Sequence, residues 1–206
     1  MPTKWIDKHS EAHVKSFKIT MDKAARIAQR NGEAKVVLSF GSANGGAYFA
    51  RWLRWQLMQR FGYSQPNNVY LDTVALETMP GTFFKSVDKT MPWVTGIASI
   101  NEGWKQYYDF AISQCHTMIF VVTEAWSSSP WCQGEFQEYA KVNRTRRMNG
   151  QKPIKGMALM VSGSIDAEPS LARHQITDHI VSAGVSDWWQ VDGLTLLKIF
   201  SMVAGR

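Results

Sequence analysis

Only two cysteines, Cys115 and Cys132, occur among the 206 residues of this chain. They form no CxxC pair and have no metal-ligand spacing. A disulfide scaffold is therefore excluded as the source of stability, and a reducing compartment is expected. No apolar run reaches the roughly 18 residues of a membrane span. The polar start, with Lys4, Asp7 and Lys8, lacks the apolar stretch of a secretory leader. A cytoplasmic protein with no membrane partner is the expectation. Internal repeats and low-complexity tracts are also missing, which argues against solenoids and disordered arrays.

Missing motifs exclude several chemistries. The block Gly41-Ser42-Ala43-Asn44-Gly45-Gly46 is neither GxGxxG nor a P-loop, because no Gly-Lys-Ser/Thr follows it. It reads either as a backbone that approaches a phosphate or as a tight turn. A phosphorylated receiver domain would carry an acidic cluster after its first strand, and none is there. Ser39 has no histidine or acid near it in a nucleophile-elbow context, which argues against a serine hydrolase. His116, His174 and His179 lack metal spacing, so no metal and no resident cofactor is expected.

What the chain does contain is the composition of a folded domain, 45% hydrophobic and 19% charged. Its length suits one well-buried core. Nine tryptophans are many for this length; they serve packing, or line a site for a flat ligand. The formal net charge of +6 favours anionic partners in general. The basic runs Lys15 to Arg30 and Lys141 to Arg147 read as solvated helix faces. No nucleic-acid module accompanies them, so no nucleic-acid partner is expected.

Along the chain, Thr20 can cap a helix from Met21 to Asn31 that Gly32 would stop. This gives an N-terminal helical extension over 1–34 and a main domain over 35–206. In the main domain Val36 to Phe40 is a short apolar run of the kind a buried parallel strand needs. A helix from about Tyr48 to Arg60 and a second strand from Asn68 to Asp72 come next. Thr73 to Ser99 reads as a large loop. A helix from about Glu102 to Ser113 leads to a strand from His116 to Thr123. The next helix starts near Ser129-Pro130 and runs to about Arg147, and Gly156 to Val161 is the next strand. After an irregular segment, Val185 to Val191 reads as the last strand and Leu194 to Val203 as the last helix.

Strands alternating with helices imply an α/β fold with a parallel sheet of about five strands and helices on both faces. In a flavodoxin-like winding the first and third strands are neighbours, and ligands bind beyond their carboxyl ends. Those ends are Phe40 to Gly46 and Thr123 to Trp131, with Asp72 close by. Ser129 suits an N-cap and Pro130 a first helical position. Trp131 and Glu135, four apart, then share one helix face near its start. They read as a site for a sugar and a ring, or as a surface glutamate beside a core tryptophan. Glu138 is the rival carboxylate, one turn further along. Asp72 and Glu77 either contact hydroxyls or cap a turn.

The order of these blocks resembles the TIR (Toll/interleukin-1 receptor) domain family. Val37-Leu38-Ser39-Phe40 is similar to its first-strand motif. Val69-Tyr70-Leu71-Asp72 with Leu76-Glu77 looks like its second strand and the start of its BB loop. Ala111-Ile112-Ser113-Gln114-Cys115 resembles the end of its second helix. Ser129-Pro130-Trp131-Cys132 with Glu135 is similar to its Ser-x-Trp-Cys-x-x-Glu block, the most specific element. The resemblance covers about Val36 to Val203. It implies that Glu135 is the catalytic residue of an enzyme that cleaves NAD, as substrate, to nicotinamide and ADP-ribose or a cyclic variant. The ligand-contacting set it implies is Ser39, Phe40, Gly41, Ser42, Asp72, Glu77 and Trp131. It further implies self-association through TIR contacts, and a role in prokaryotic immune signalling and phage defence or as an NAD-depleting effector. Two features depart from the family. Gly41 and Ser42 stand where an arginine is frequent, and Thr78 to Ser99 is longer than a usual BB loop. Both features motivate the alternative of a non-catalytic TIR scaffold.

Overall fold

The computed structural model describes residues 12–14, 32–41, 46–71, 84–86, 108–160, 171, 177–180, 182–183, 189–190 and 193–205. Its centre is a parallel sheet of five strands: β2 (Val36–Phe40), β3 (Val69–Tyr70), β5 (Thr117–Val122), β6 (Lys155–Met160) and β7 (Thr177–Ile180). Two short antiparallel pairs lie outside it. One joins β1 (Ala12–Val14) to β4 (Phe84–Ser86), the other β8 (Ser182–Ala183) to β9 (Trp189–Gln190). The sheet order is β3-β2-β5-β6-β7, so the chain goes outward once and then returns past its first strand. As the sequence led us to expect, the first and third strands of the sheet are neighbours, with Val36 opposite Thr117 and Phe40 opposite Val121.

The strands form here because their side chains alternate between two apolar layers. On one face, Val36 and Leu38 of β2 and Ile119 and Val121 of β5 pack against α1 (Gly46–Phe61) and α5 (Gly193–Val203). On the other, Val37, Met118, Phe120 and Val122 meet α2 (108–114), α3 (Glu124–Ser127) and α4 (Pro130–Met148). A strand buried on both faces must be apolar at every position, which is why β2 and β5 read as continuous runs. Ser39 breaks the pattern. It is 1% exposed and points into the α4 layer, where its strand neighbours Val37 and Phe120 are hydrophobic.

Polar ties fix the layers to the strands. Asn143 of α4 mimics a peptide group: its Nδ2 donates to the Ile154 carbonyl at 3.1 Å and its Oδ1 accepts from the Ile154 N–H at 2.6 Å. This anchors the helix to the start of β6. Arg54 of α1 donates to the carbonyls of Pro66 and Val69 at 2.8 and 3.0 Å, holding the turn before β3.

Three elements differ from the sequence reading. The fifth strand of the sheet is Thr177–Ile180, within the segment expected to be irregular. Among the described residues it pairs along one side only, with β6, so an edge sequence as polar as Thr-Asp-His-Ile suffices. Of the strand expected over 185–191, only residues 189–190 are described, and they pair antiparallel with 182–183 outside the parallel sheet. The stretch 73–99, expected to be a loop, contains β4, whose partner β1 lies in the segment before Thr20. The helix expected over 21–31 lies outside the described residues. Gly32, its expected stop, holds a φ of +86°, the left-handed conformation that favours glycine.

Candidate functional site

Because the sheet is parallel and its order reverses at β2, the ends of β2 and β5 open side by side at the carboxyl edge. The two helices that succeed β5 are each started by a capping hydroxyl. Thr123 has extended dihedrals, and its hydroxyl accepts from the Trp126 N–H at 3.2 Å, which starts α3. Ser129 repeats the device for α4, accepting from the Cys132 N–H at 3.4 Å, with Pro130 at the first helical position. The expected cap and helix start are both observed.

Trp131 in the first turn of α4 and Glu135 in the second share one face of the helix. Trp131 is 42% exposed, whereas Glu135 is half-buried and reaches the end of β2. There the Ser39 hydroxyl donates to Glu135 Oε2 at 2.5 Å, and accepts from the Trp126 indole Nε1–H at 2.8 Å. Behind them lies an aromatic cluster: the Phe120 ring meets those of Trp126, Phe136 and Tyr139 at centroid distances of 5.9, 5.7 and 5.3 Å. Phe120 is also the register partner of Ser39 across β2 and β5. Glu138, the rival carboxylate, instead pairs with exposed Lys141 at 3.0 Å.

The expected ligand-contacting residues divide into three groups. Trp131 shares the face of Glu135. Ser39 is buried, and its hydroxyl is engaged by Trp126 and Glu135. Phe40 packs on the opposite, α1 side of the sheet, while its carbonyl accepts from the Cys132 thiol at 3.4 Å. Gly41 approaches another part of the chain: a Cβ there would lie 2.5 Å from Trp126 N and 2.6 Å from the Ala125 carbonyl carbon. A Cβ on Gly46 would likewise overlap the Gly41 carbonyl oxygen. Close backbone packing thus accounts for both glycines. Ser42, Asp72 and Glu77 lie outside the described residues.

Trp126 was not anticipated. The available signal was local: a threonine closing an apolar strand, with a tryptophan three residues later whose N–H the threonine caps.

Cys115 and His116 stand at the start of β5, away from Glu135. Burial pushes the Cys115 thiol up to about 12, against a smaller lowering by Arg146. His116 sits at the opposite, amino edge of the sheet, where burial and the charges of Lys35, Lys155 and Arg146 hold it below its ordinary range. An open cavity of about 630 Å³ lies at that edge, lined in part by Lys35, Tyr63, Gln114 and His116. Helices end there, and Arg146 donates to the carbonyls of Ser113 and Cys115 at 2.7 and 2.9 Å, as cations near helix C-termini do. No residue of the expected ligand set lines that cavity.

Among the described residues no group of histidine, cysteine and acidic side chains is arranged to hold a metal, and no helix is long and apolar enough to cross a membrane. No family model and no curated protein matches the chain.

Proposed function

We propose that this chain is an NAD glycohydrolase or cyclase of the TIR type, with Glu135 as its catalytic residue. The observation that carries the reading is the position of the Glu135 carboxylate. It reaches from the second turn of α4 to the end of β2, where it accepts the 2.5 Å hydrogen bond from Ser39, on the helix face that carries exposed Trp131. The sheet order supports a flavodoxin-like winding of the kind the resemblance implies. The helices α1 and α4 both begin near this edge, and helix N-termini favour the anionic pyrophosphate of a dinucleotide.

One carboxylate is enough for this bond. The nicotinamide ring is a cationic pyridinium that leaves as a neutral molecule, so no acid need protonate it. The two-carboxylate arrangement of most glycosidases is therefore not required. As the bond to C1′ breaks, positive charge spreads over the ribose, and a fixed carboxylate stabilises it. Trp131 supplies a wall for the ring. Phe40 would close the site from the far side of β2. Capture of the cation by water gives ADP-ribose, and capture by adenine gives a cyclic product.

Incubation of purified protein with NAD, both free and clustered on a support, is expected to release nicotinamide together with one of these two products. Liquid chromatography with mass detection reads both. Clustered protein that leaves NAD intact, yet self-associates equally with and without Glu135, would favour the scaffold reading.

A further inference from the structure

The Ser39 hydroxyl stands between two groups with fixed demands. An indole N–H can only donate, so Trp126 at 2.8 Å obliges Ser39 Oγ to accept. The single hydroxyl proton is then directed to Glu135 Oε2 at 2.5 Å. Nothing local dictates this arrangement, since Ser39 lies 87 residues from Trp126 and 96 from Glu135. We propose that Trp126 is a positioning residue that acts on Glu135 through Ser39, so that a Trp126–Ser39–Glu135 relay fixes the carboxylate for reaction. This rests on the NAD-cleaving reading above.

Three observations support it. The donor is immobile: Trp126 is fully buried, its backbone N–H is capped by Thr123, and its ring packs edge-on to Phe120. The hydroxyl is not explained by packing. In a layer that otherwise takes Val37 from the same strand, a serine costs stability unless its polar group is bonded. Finally, Ser39 is too buried to touch a ligand or to serve as a nucleophile, which leaves its hydroxyl the role of orienting Glu135. Without Trp126 the hydroxyl would rotate among its staggered positions and release the carboxylate for part of the time. Bonds joined in sequence also polarise one another, so each end of the relay senses the other.

The test compares wild type, Ser39→Ala, Trp126→Phe and the double variant in NAD turnover, with melting temperatures as a control for folding. Each single change is expected to lower kcat about 10-fold while KM stays within about 2-fold. The double variant should also fall about 10-fold, because the two residues act through one bond to the carboxylate. A double variant reduced by about 100-fold, or a Trp126→Phe protein with wild-type kcat, would overturn the relay.

A second measurement needs no turnover. The Trp126 indole proton resonance, assigned through its contact with the Phe120 ring, should move upfield in Ser39→Ala and also, by less, in Glu135→Gln. If Glu135→Gln leaves it unmoved, the relay fails even if NAD is cleaved. If it responds to both changes in a protein that does not cleave NAD under any condition, the relay stands and the NAD reading fails.

Discussion

Replacement of Glu135 by glutamine is expected to lower kcat for nicotinamide release by about 10³-fold, with KM and melting temperature little changed. Glutamine keeps the shape and an oxygen that can accept from Ser39, so the geometry is preserved and only the charge is removed. The magnitude follows from electrostatics. A unit charge about 4 Å from a developing positive charge, at an effective dielectric of about 20, contributes about 4 kcal/mol. Each 1.36 kcal/mol corresponds to a factor of about 10 in rate, which gives roughly 10³. Steady-state nicotinamide release by the two proteins measures this directly. A Glu135→Gln or Glu135→Ala protein with wild-type turnover would remove the role assigned to this carboxylate. Glu138→Gln serves as the comparison and should retain activity, since that side chain pairs with Lys141.

A methyl group on Gly41 has the second largest expected effect, although the residue carries no chemistry. The added carbon would lie 2.5 Å from Trp126 N, a distance that Cβ atoms essentially never adopt. The atoms it meets first belong to the α3 backbone and cannot swing aside. Either β2 or α3 must shift, and forced overpacking of this kind costs about 1–3 kcal/mol. Since α3 carries Trp126, the shift reaches Ser39 and Glu135, and a displacement of about 1 Å at a reacting group can cost about 10²-fold in rate. Gly41→Ala should therefore show a lower melting temperature together with a large loss in kcat/KM. Gly134→Ala is the control. It sits next to Glu135 in sequence, but its added carbon meets nothing within 4 Å, so it should leave both quantities near wild type. A Gly41→Ala protein as stable and active as wild type would contradict the packing at the end of β2.

Legibility in the sequence followed burial. The run Val36 to Phe40 was readable because a strand covered on both faces is apolar nearly throughout, Ser39 being the exception, and its observed bounds match. The start of α4 was readable because Ser129 and Pro130 are local signals with local causes. The edge strand Thr177–Ile180 was not, since a strand paired on one side needs no apolar run to mark it. In the site, the spacing of Trp131 and Glu135 was visible as one helical turn. The hold on Glu135 was not visible, because its partners come from β2 and α3, far away in the chain. Ser39 read as a ligand contact at the end of a strand; the alternation of β2 turns it inward instead, toward Trp126 and Glu135. Gly41 read as a phosphate approach or a turn, and only the packed α3 backbone explains it.

A crystal structure of the Glu135→Gln protein soaked with NAD tests most directly whether the reaction belongs at the carboxyl ends of β2 and β5. The expected result is a dinucleotide whose nicotinamide ribose C1′ lies beside residue 135, with the ring against Trp131. A dinucleotide seated instead in the 630 Å³ cavity at the amino edge, beside Lys35 and His116, would contradict the assignment of Glu135.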